Sequence, residues 1–262
     1  MVVDFKQIIK TRKSFRTFNE EKISKNDINK LLEYIQTIKN PYGIPVNFYI
    51  RDCEECGLSS PVIEGENEYV IATVPDVEHC EEAFGYSFEM MVLYAWSLGI
   101  GTTWIGGTLD RKVFENAIDL NDDELMMIVS PLGYPSDDHS KVDKKLRQMV
   151  QGDERFPATE LFFDGDFNTP LISSDECLEA VRWAPSAANR QPWRVVKQDN
   201  KYHFYVRHTE GYSSGVSWQV QKIDLGIAIC HFMCVTDGEF SIDNPGIEAD
   251  DHTEYIATIT CE

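Results

Sequence analysis

Arg182-Trp183-Ala184-Pro185-Ser186-Ala187-Ala188-Asn189-Arg190-Gln191-Pro192-Trp193-Arg194-Val195-Val196 is the stretch from which the rest of the chain can be read. It opens as the end of a helix. Ile172, Cys177, Leu178, Ala180 and Val181 form an apolar stripe, with Ser173, Ser174 and Asp175 available as caps. Pro185 disfavours helix at Ala184, and Pro192 does the same at Gln191, so a loop must join them. Ser186, Asn189 and Gln191 in that loop both donate and accept hydrogen bonds, and small residues flank them. Trp193-Arg194-Val195-Val196 then begins a strand. Such a loop suits the edge of a planar heterocycle. A proline-bounded connection with ordinary turn residues explains the same composition, and the residues alone favour it.

The order A-P-S-A-A-N-R-Q-P-W, however, closely resembles the flavin-binding loop of the FMN-dependent nitroreductase family. A second stretch points the same way. Phe5, Ile8 and Ile9 mark a helix over residues 4–11, and Arg12-Lys13-Ser14-Phe15-Arg16 follows. Three cations and a hydroxyl within five residues can grip a phosphate, although a solvated basic turn has the same composition. R-K-S-F-R resembles the R-x-S-x-R motif that follows the first helix in that family. The resemblance implies that Arg12 and Ser14, with Lys13 beside them, hold the FMN phosphate. It also implies that Arg16 lies at the pyrimidine edge of the flavin, where negative charge collects on reduction.

Outward from these motifs, Ile28, Leu31, Leu32 and Ile35 predict a helix capped by Ser24 or Asn26. The segment after it, Thr37 to Val46, lacks the A-P-S loop that a family member carries there. Val46, Phe48 and Ile50, then Tyr69 to Val74, predict strands. Phe84 to Leu98 predicts an apolar helix, followed by Ile100-Gly101-Thr102-Thr103-Trp104-Ile105-Gly106-Gly107. Trp104 excludes a G-x-G-x-x-G dinucleotide motif. The resemblance places Gly106 and Gly107 where the family's backbone approaches flavin N5, a site with no room for a side chain. Asp110 to Ile118 predicts a helix, and Leu125 to Pro135 a buried strand. Arg155-Phe156-Pro157-Ala158-Thr159-Glu160-Leu161 resembles the family's R-x-P-x-x-E-L, which makes Arg155 a phosphate ligand, with Lys145 and Arg147 as substitutes.

The pattern then restarts with the 172–182 helix, the A-P-S loop, a strand to Arg207, an apolar helix and a last strand over Tyr255 to Thr260. Within that helix, Asp224-Leu225-Gly226-Ile227-Ala228 resembles the family's D-x-G-x-A. Glu68-Tyr69-Val70-Ile71-Ala72-Thr73 and Glu254-Tyr255-Ile256-Ala257-Thr258 look alike, but one precedes its half's long helix and the other follows it. Family members are typically homodimers in which each flavin takes its phosphate grip from one subunit and its A-P-S loop from the other. This chain has one of each. The resemblance therefore implies an α+β, nitroreductase-like fold of two tandem halves, 1–163 and 164–262, forming an internal pseudo-dimer. Each half is an antiparallel-dominated sheet flanked by helices.

The implied function is an FMN-dependent oxidoreductase that passes hydride from NADH or NADPH to a nitroaromatic, quinone or similar small-molecule acceptor. Flavin N5 carries the chemistry, so no side chain is assigned as catalytic. The implied flavin contacts are Arg12, Lys13, Ser14, Arg16, Gly106, Gly107, Arg155, Pro185, Ser186, Ala187, Asn189 and Gln191. Tyr42, Trp104, Tyr212 and Trp218 are candidates for the open flavin face. An FMN-binding protein without turnover is the alternative.

Composition bounds the partners. The 262 residues carry 42% hydrophobic and 26% charged residues, ordinary for a soluble globular chain able to bury a large core. A net charge of −20 argues against nucleic acid or an anionic membrane. Met1 to Lys6 holds no long apolar run, so no signal peptide is expected, and no segment approaches a membrane span. Seven cysteines read as free thiols in a reducing cytoplasm, with Cys230 and Cys234 buried on a helix. Cys53-x-x-Cys56 lacks a second pair, so no metal is expected. A monomer is expected, because the family's dimer interface would be internal.

Overall fold

A computed structural model describes residues 3–212 and 215–262. Met1 and Val2, part of the N-terminal run considered above, lie outside the described residues, as do Ser213 and Ser214. In chain order the elements are α1 (Phe5–Thr11), α2 (Lys25–Ile35), β1 (Asn47–Asp52), α3 (Cys53–Cys56), β2 (Glu68–Pro75), α4 (Cys80–Ser97) and α5 (Arg111–Asn116). There follow β3 (Glu124–Leu125), β4 (Val129–Leu132), α6 (Lys141–Val150), α7 (Ala158–Leu161), β5 (Phe162–Asp164) and α8 (Glu176–Arg182). After a 3-10 turn at Ala187–Asn189 come β6 (Trp193–Gln198), β7 (Lys201–Arg207), α9 (Val220–Met233), β8 (Gly238–Ser241) and β9 (Thr253–Cys261).

The chain forms two compact units, one from Thr11–Cys80 and Ser87–Gly152, the other from Asp4–Lys10, Glu81–Tyr86 and Asp153–Glu262. In the first, β2 is central and antiparallel to β1, β3 and β4. Its run of apolar residues, Tyr69 to Val74, is buried throughout because it is covered on both faces. Ser24 caps α2, its side chain accepting from the Asp27 N–H at 3.1 Å. The strand expected over 125–135 is broken instead. Arg111 reaches in and its guanidinium donates to the carbonyls of Met126 and Met127, taking acceptors a sheet ladder would have used.

The second unit is a five-stranded sheet in the order β5-β6-β7-β9-β8, antiparallel except for the parallel pair β5-β6. β5 straddles the expected boundary at 163/164 and pairs with β6, so this unit takes up the chain from Asp153. α8 starts later than the apolar stripe implied. Asp175 caps it, accepting from the Leu178 N–H at 3.0 Å, and Ile172 is left outside, 92% exposed. α9 is buried from Ile223 to Phe232, which explains its apolar character on all sides. Cys230 is buried as expected, whereas Cys234 closes the helix half-buried.

Both units are antiparallel-dominated sheets with helices, an α+β architecture. No helix among the described residues is long and apolar enough to cross a membrane. The closest backbone approach lies in the second unit. A Cβ at Gly226 would stand 2.1 Å from the Glu82 carbonyl oxygen, and one at Gly85 would stand 2.1 Å from that of Ile223. Backbone cannot yield as a side-chain tip can. Gly226→Ala should therefore lower stability by about 1–3 kcal/mol or more, the range for overpacking. Urea unfolding checks this; an unchanged midpoint would show that the 81–86 segment does not pack this closely on α9.

Candidate functional site

Two polar clusters are built around the motifs, one in each unit. In the first, α1 ends at Thr11 and the chain turns extended. Ser14 forms a parallel bridge with Thr102, and the Phe15 N–H donates to the Thr102 carbonyl at 2.8 Å. This pins Arg12 and Arg16 relative to the loop after α4. Arg12 is buried, and its Nε lies 3.7 Å from Glu89 Oε1. Nε itself has no hydrogen-bond partner among the described residues. Burial pulls this guanidinium below its ordinary pKa; Glu89 opposes the shift and Arg147 adds to it. Glu89 is fully buried on α4 and accepts from Trp104 Nε1 at 3.2 Å.

Asp143 is the second anchor. Ser140 caps α6 and places Asp143 in its first turn. Its side chain is fully buried, 3.2 Å from Arg16 Nη1, 3.2 Å from Arg147 Nε and 2.7 Å from His139 Nδ1. Burial raises its pKa, but the Arg147 charge and the bonds from Arg147, His139 and Arg16 outweigh that and hold the carboxyl below its usual range. Arg147 also donates to the Ser14 carbonyl. Three guanidiniums thus face two buried carboxylates, leaving one positive charge in excess in a chain of net charge −20. Lys13 is exposed beside them. A phosphate fits this donor set: it would satisfy the orphaned Arg12 Nε and balance the excess.

Gly106 and Gly107 differ. A Cβ at Gly106 would meet Ile128 Cδ1 at 2.7 Å, a contact that a shift of that side-chain tip can relieve. Gly107 has open space on the side a Cβ would occupy, as a close-lying ligand needs. The Gly106 carbonyl accepts from Arg111 at 3.0 Å.

In the second unit the A-P-S loop spends much of its polarity on itself. Ser186 Oγ accepts from the Gln191 N–H at 2.8 Å. The Gln191 side chain, buried, accepts from the Phe156 N–H at 2.9 Å and donates to the Asn189 carbonyl at 3.2 Å. Asn189 donates to the Glu154 carbonyl at 3.0 Å and accepts from Arg155 at 3.4 Å. Ala188, Asn189 and Gln191 all have left-handed backbones, with φ of 48°, 54° and 48°. None is glycine, so the shape is strained and must be held from outside. Two contacts do so at Ala187. Its N–H donates to Asp224 Oδ1 at 3.0 Å, and its carbonyl accepts from the Tyr212 hydroxyl. Pro185 precedes this turn, half-buried.

Arg155 belongs to this second cluster. Besides Asn189 it donates to the Trp183 carbonyl at 3.3 Å, and its guanidinium lies 5.4 Å from the Trp183 ring centre. Arg147, the substitute from the basic face of α6, is the cation that stands beside Arg16 and Ser14. Sequence reasoning missed Glu89, Asp143 and Asp224 as anchors. The signal for Glu89 and Asp224 was an acid within the apolar run of a long helix. Trp104 and Tyr212, candidates for an open ligand face, donate to Glu89 and to the loop instead; Tyr42 stacks on His79 with ring centres 5.5 Å apart. Trp218 is buried.

These features define a nitroreductase-like fold. The chain belongs to the family described as "Putative TM nitroreductase", whose model matches residues 4–236. Among solved structures, a "putative nitroreductase" from Thermotoga maritima MSB8 superposes with a TM-score of 0.61 at 17% identity, covering 99% of this chain and 94% of that one. An FMN-dependent nitroreductase from Clostridium difficile R20291 matches at a TM-score of 0.44 and 16% identity, over 51% of this chain and 88% of its own. A nitroreductase family protein from Clostridium novyi NT covers 54% of this chain and 91% of its own, at 19% identity and a TM-score of 0.44. No protein of curated function matches the sequence.

The Asp143 cluster makes a stability prediction. A carboxyl whose folded pKa is depressed stabilises the fold above its unfolded value, and that contribution is lost as pH falls through the folded pKa. Wild type should therefore weaken below about pH 4. Asp143→Ala should cost about 3–5 kcal/mol at pH 7, because it strands Arg16 and Arg147, and should flatten part of the acid limb. Urea titrations at pH 7, 5 and 3.5 measure both; an acid limb identical in the variant would show that Asp143 is not the titrating partner.

Proposed function

We propose that this chain binds FMN noncovalently and works as an NAD(P)H-dependent oxidoreductase with a nitroaromatic, quinone or similar acceptor. The observation that carries the reading is the excess positive charge of Arg12, Arg16 and Arg147 over Glu89 and Asp143, with an orphaned guanidinium nitrogen among them. Family membership supports it. When bound, FMN supplies hydride transfer, so no side chain need act as general acid or base. Arg12, Ser14 and Arg147 hold the phosphate, and Lys13 adds long-range attraction. Arg16, kept in place by Asp143, supplies a fixed cation for negative charge on the reduced ring. Gly107 leaves room for the ring, and the strained turn around Ser186 and Ala187 supplies backbone and hydroxyl donors. One chain carries one copy of each motif, and the working form is a monomer.

FMN fluorescence should be quenched on titration with the purified protein. Arg12→Ala should weaken binding by about 1.5–3 kcal/mol, roughly ten- to a hundredfold. No quenching at micromolar protein sinks the cofactor assignment. Anaerobic NADH or NADPH should bleach the bound flavin within seconds; flavin that stays oxidised with both nucleotides refutes turnover and leaves a binding protein.

The monomer has its own test. Arg12→Ala chains mixed with Ser186→Ala, Asn189→Ala chains should not recover FMN binding. Recovery would mean that two chains share each flavin.

A further inference from the structure

Asp224 is a buried carboxyl in the middle of an apolar helix, 2% exposed. Its Oδ1 accepts from the Ala187 N–H at 3.0 Å, and its Oδ2 lies 2.9 Å from the Tyr212 hydroxyl. That same hydroxyl reaches the Ala187 carbonyl. A phenol has one proton to give. If Asp224 is ionised, Tyr212 can donate to the carboxylate or to the carbonyl, and the other of these two close oxygen–oxygen contacts is left without a proton. If Asp224 is protonated, the ring closes: Asp224 donates to Tyr212, Tyr212 to the Ala187 carbonyl, and the Ala187 N–H to Asp224. Each of the two oxygen–oxygen contacts of the hydroxyl then holds a proton.

We propose that Asp224 in its neutral form is a positioning residue, holding the strained 186–191 loop in its ligand-binding shape through Tyr212, so that loop order falls as pH rises. The extension to flavin affinity rests on the FMN reading above. Burial agrees with the proton count, pushing the Asp224 pKa up to about 7, while the bonds from Ala187 and Tyr212 oppose the shift. Charged or titratable groups on the surrounding elements include Arg190 on the loop, Glu82 and Tyr86 on the segment packed at Gly226, Lys222, Cys230 and His231 on α9 itself, and Glu179 and Arg182 on α8. Tyr212 is the side chain that bonds the carboxyl. Arg190 acts on Tyr212, slightly countering the rise of the phenol's pKa.

The sign follows from linkage. In an opened loop Asp224 is solvated and titrates near its ordinary value of about 3.9. The closed loop therefore binds more protons between about pH 4 and 7, and its advantage is lost over that window. Hydrogen exchange on the flavin-free protein, corrected for intrinsic rates, reads this directly. Protection of the loop amides, Ala187 above all, should fall about tenfold per pH unit from pH 5 to 7 and level off above. Amides of Val195, Val196 and Phe204 in β6 and β7 should not follow.

Asp224→Asn presents a fixed carbonyl to Ala187 and a fixed N–H donor to Tyr212, so its loop protection should be flat across the range. Tyr212→Phe should lower protection even at pH 5. A wild-type loop with no pH dependence, or an Asp224→Asn loop that keeps it, overturns the proposal. Should Asp224→Asn fail to fold, infrared difference spectra of wild type decide. A buried carboxylic acid must lose its proton between about pH 6 and 8, and its absence overturns the proposal. FMN affinity, measured separately, should track loop protection. A loop that titrates in a protein that never binds FMN refutes the flavin reading and leaves the positioning role standing.

Discussion

A carboxyl removed from water must be met by donors or give up its charge, and among the described residues this chain buries four, Glu82, Glu89, Asp143 and Asp224, the last three around the motifs. Glu89 is met by Trp104 and faces Arg12. Asp143 collects Arg16, Arg147 and His139. Asp224 has no cation among its bonding partners, and burial pushes its pKa up to about 7. The placement of nearly every polar residue around the two motifs follows from these anchors. Ionised Asp143 fixes two arginines that could otherwise swing into solvent. Asp224, met by a phenol and a peptide N–H, fixes a loop that its own backbone strain would release.

The same logic separates the clusters by charge. The first is a surplus of guanidinium over carboxylate, a standing field for an anion. The second holds its peptide turn mainly by hydrogen bonds among amide, hydroxyl and carbonyl groups, with Arg155 donating at one side. An anionic group suits the first environment and a neutral, amide-edged group the second. One polarises and neutralises; the other offers directed donors without the desolvation cost of a second ion.

Much of this was legible in the sequence because it is local. Prolines at 185 and 192 bound the loop, and alternating or continuous apolar runs mark β2, β7 and α9. What was not legible depends on which side chain meets which. Arg155 and Arg147 are both basic residues in polar surroundings, and nothing local says which stands beside Ser14. Arg147 does so because α6 starts at Ser140 and carries Asp143 beneath it; Arg155 packs on Trp183 instead. The polar atoms of Asn189 and Gln191 read as ligand contacts, yet a strained turn needs them to hold its own backbone. Ile172 matched the stripe of α8, but the Asp175 cap ended the helix first.

Glu89 and Asp224 carry a further consequence for reading such chains. An acid within an apolar helix costs several kcal/mol unless something answers it, so its presence alone requires a partner nearby in space. A partner in the form of arginine keeps the acid charged and the pair pH-tolerant. A partner in the form of tyrosine cannot, since the phenol is itself driven up in pKa by burial and by the carboxyl it faces. The type of partner, rather than the acid, therefore determines whether the anchor is a fixed charge or a titrating one. Arg16 and Arg147 beside Asp143, and Tyr212 beside Asp224, show both outcomes in a single chain.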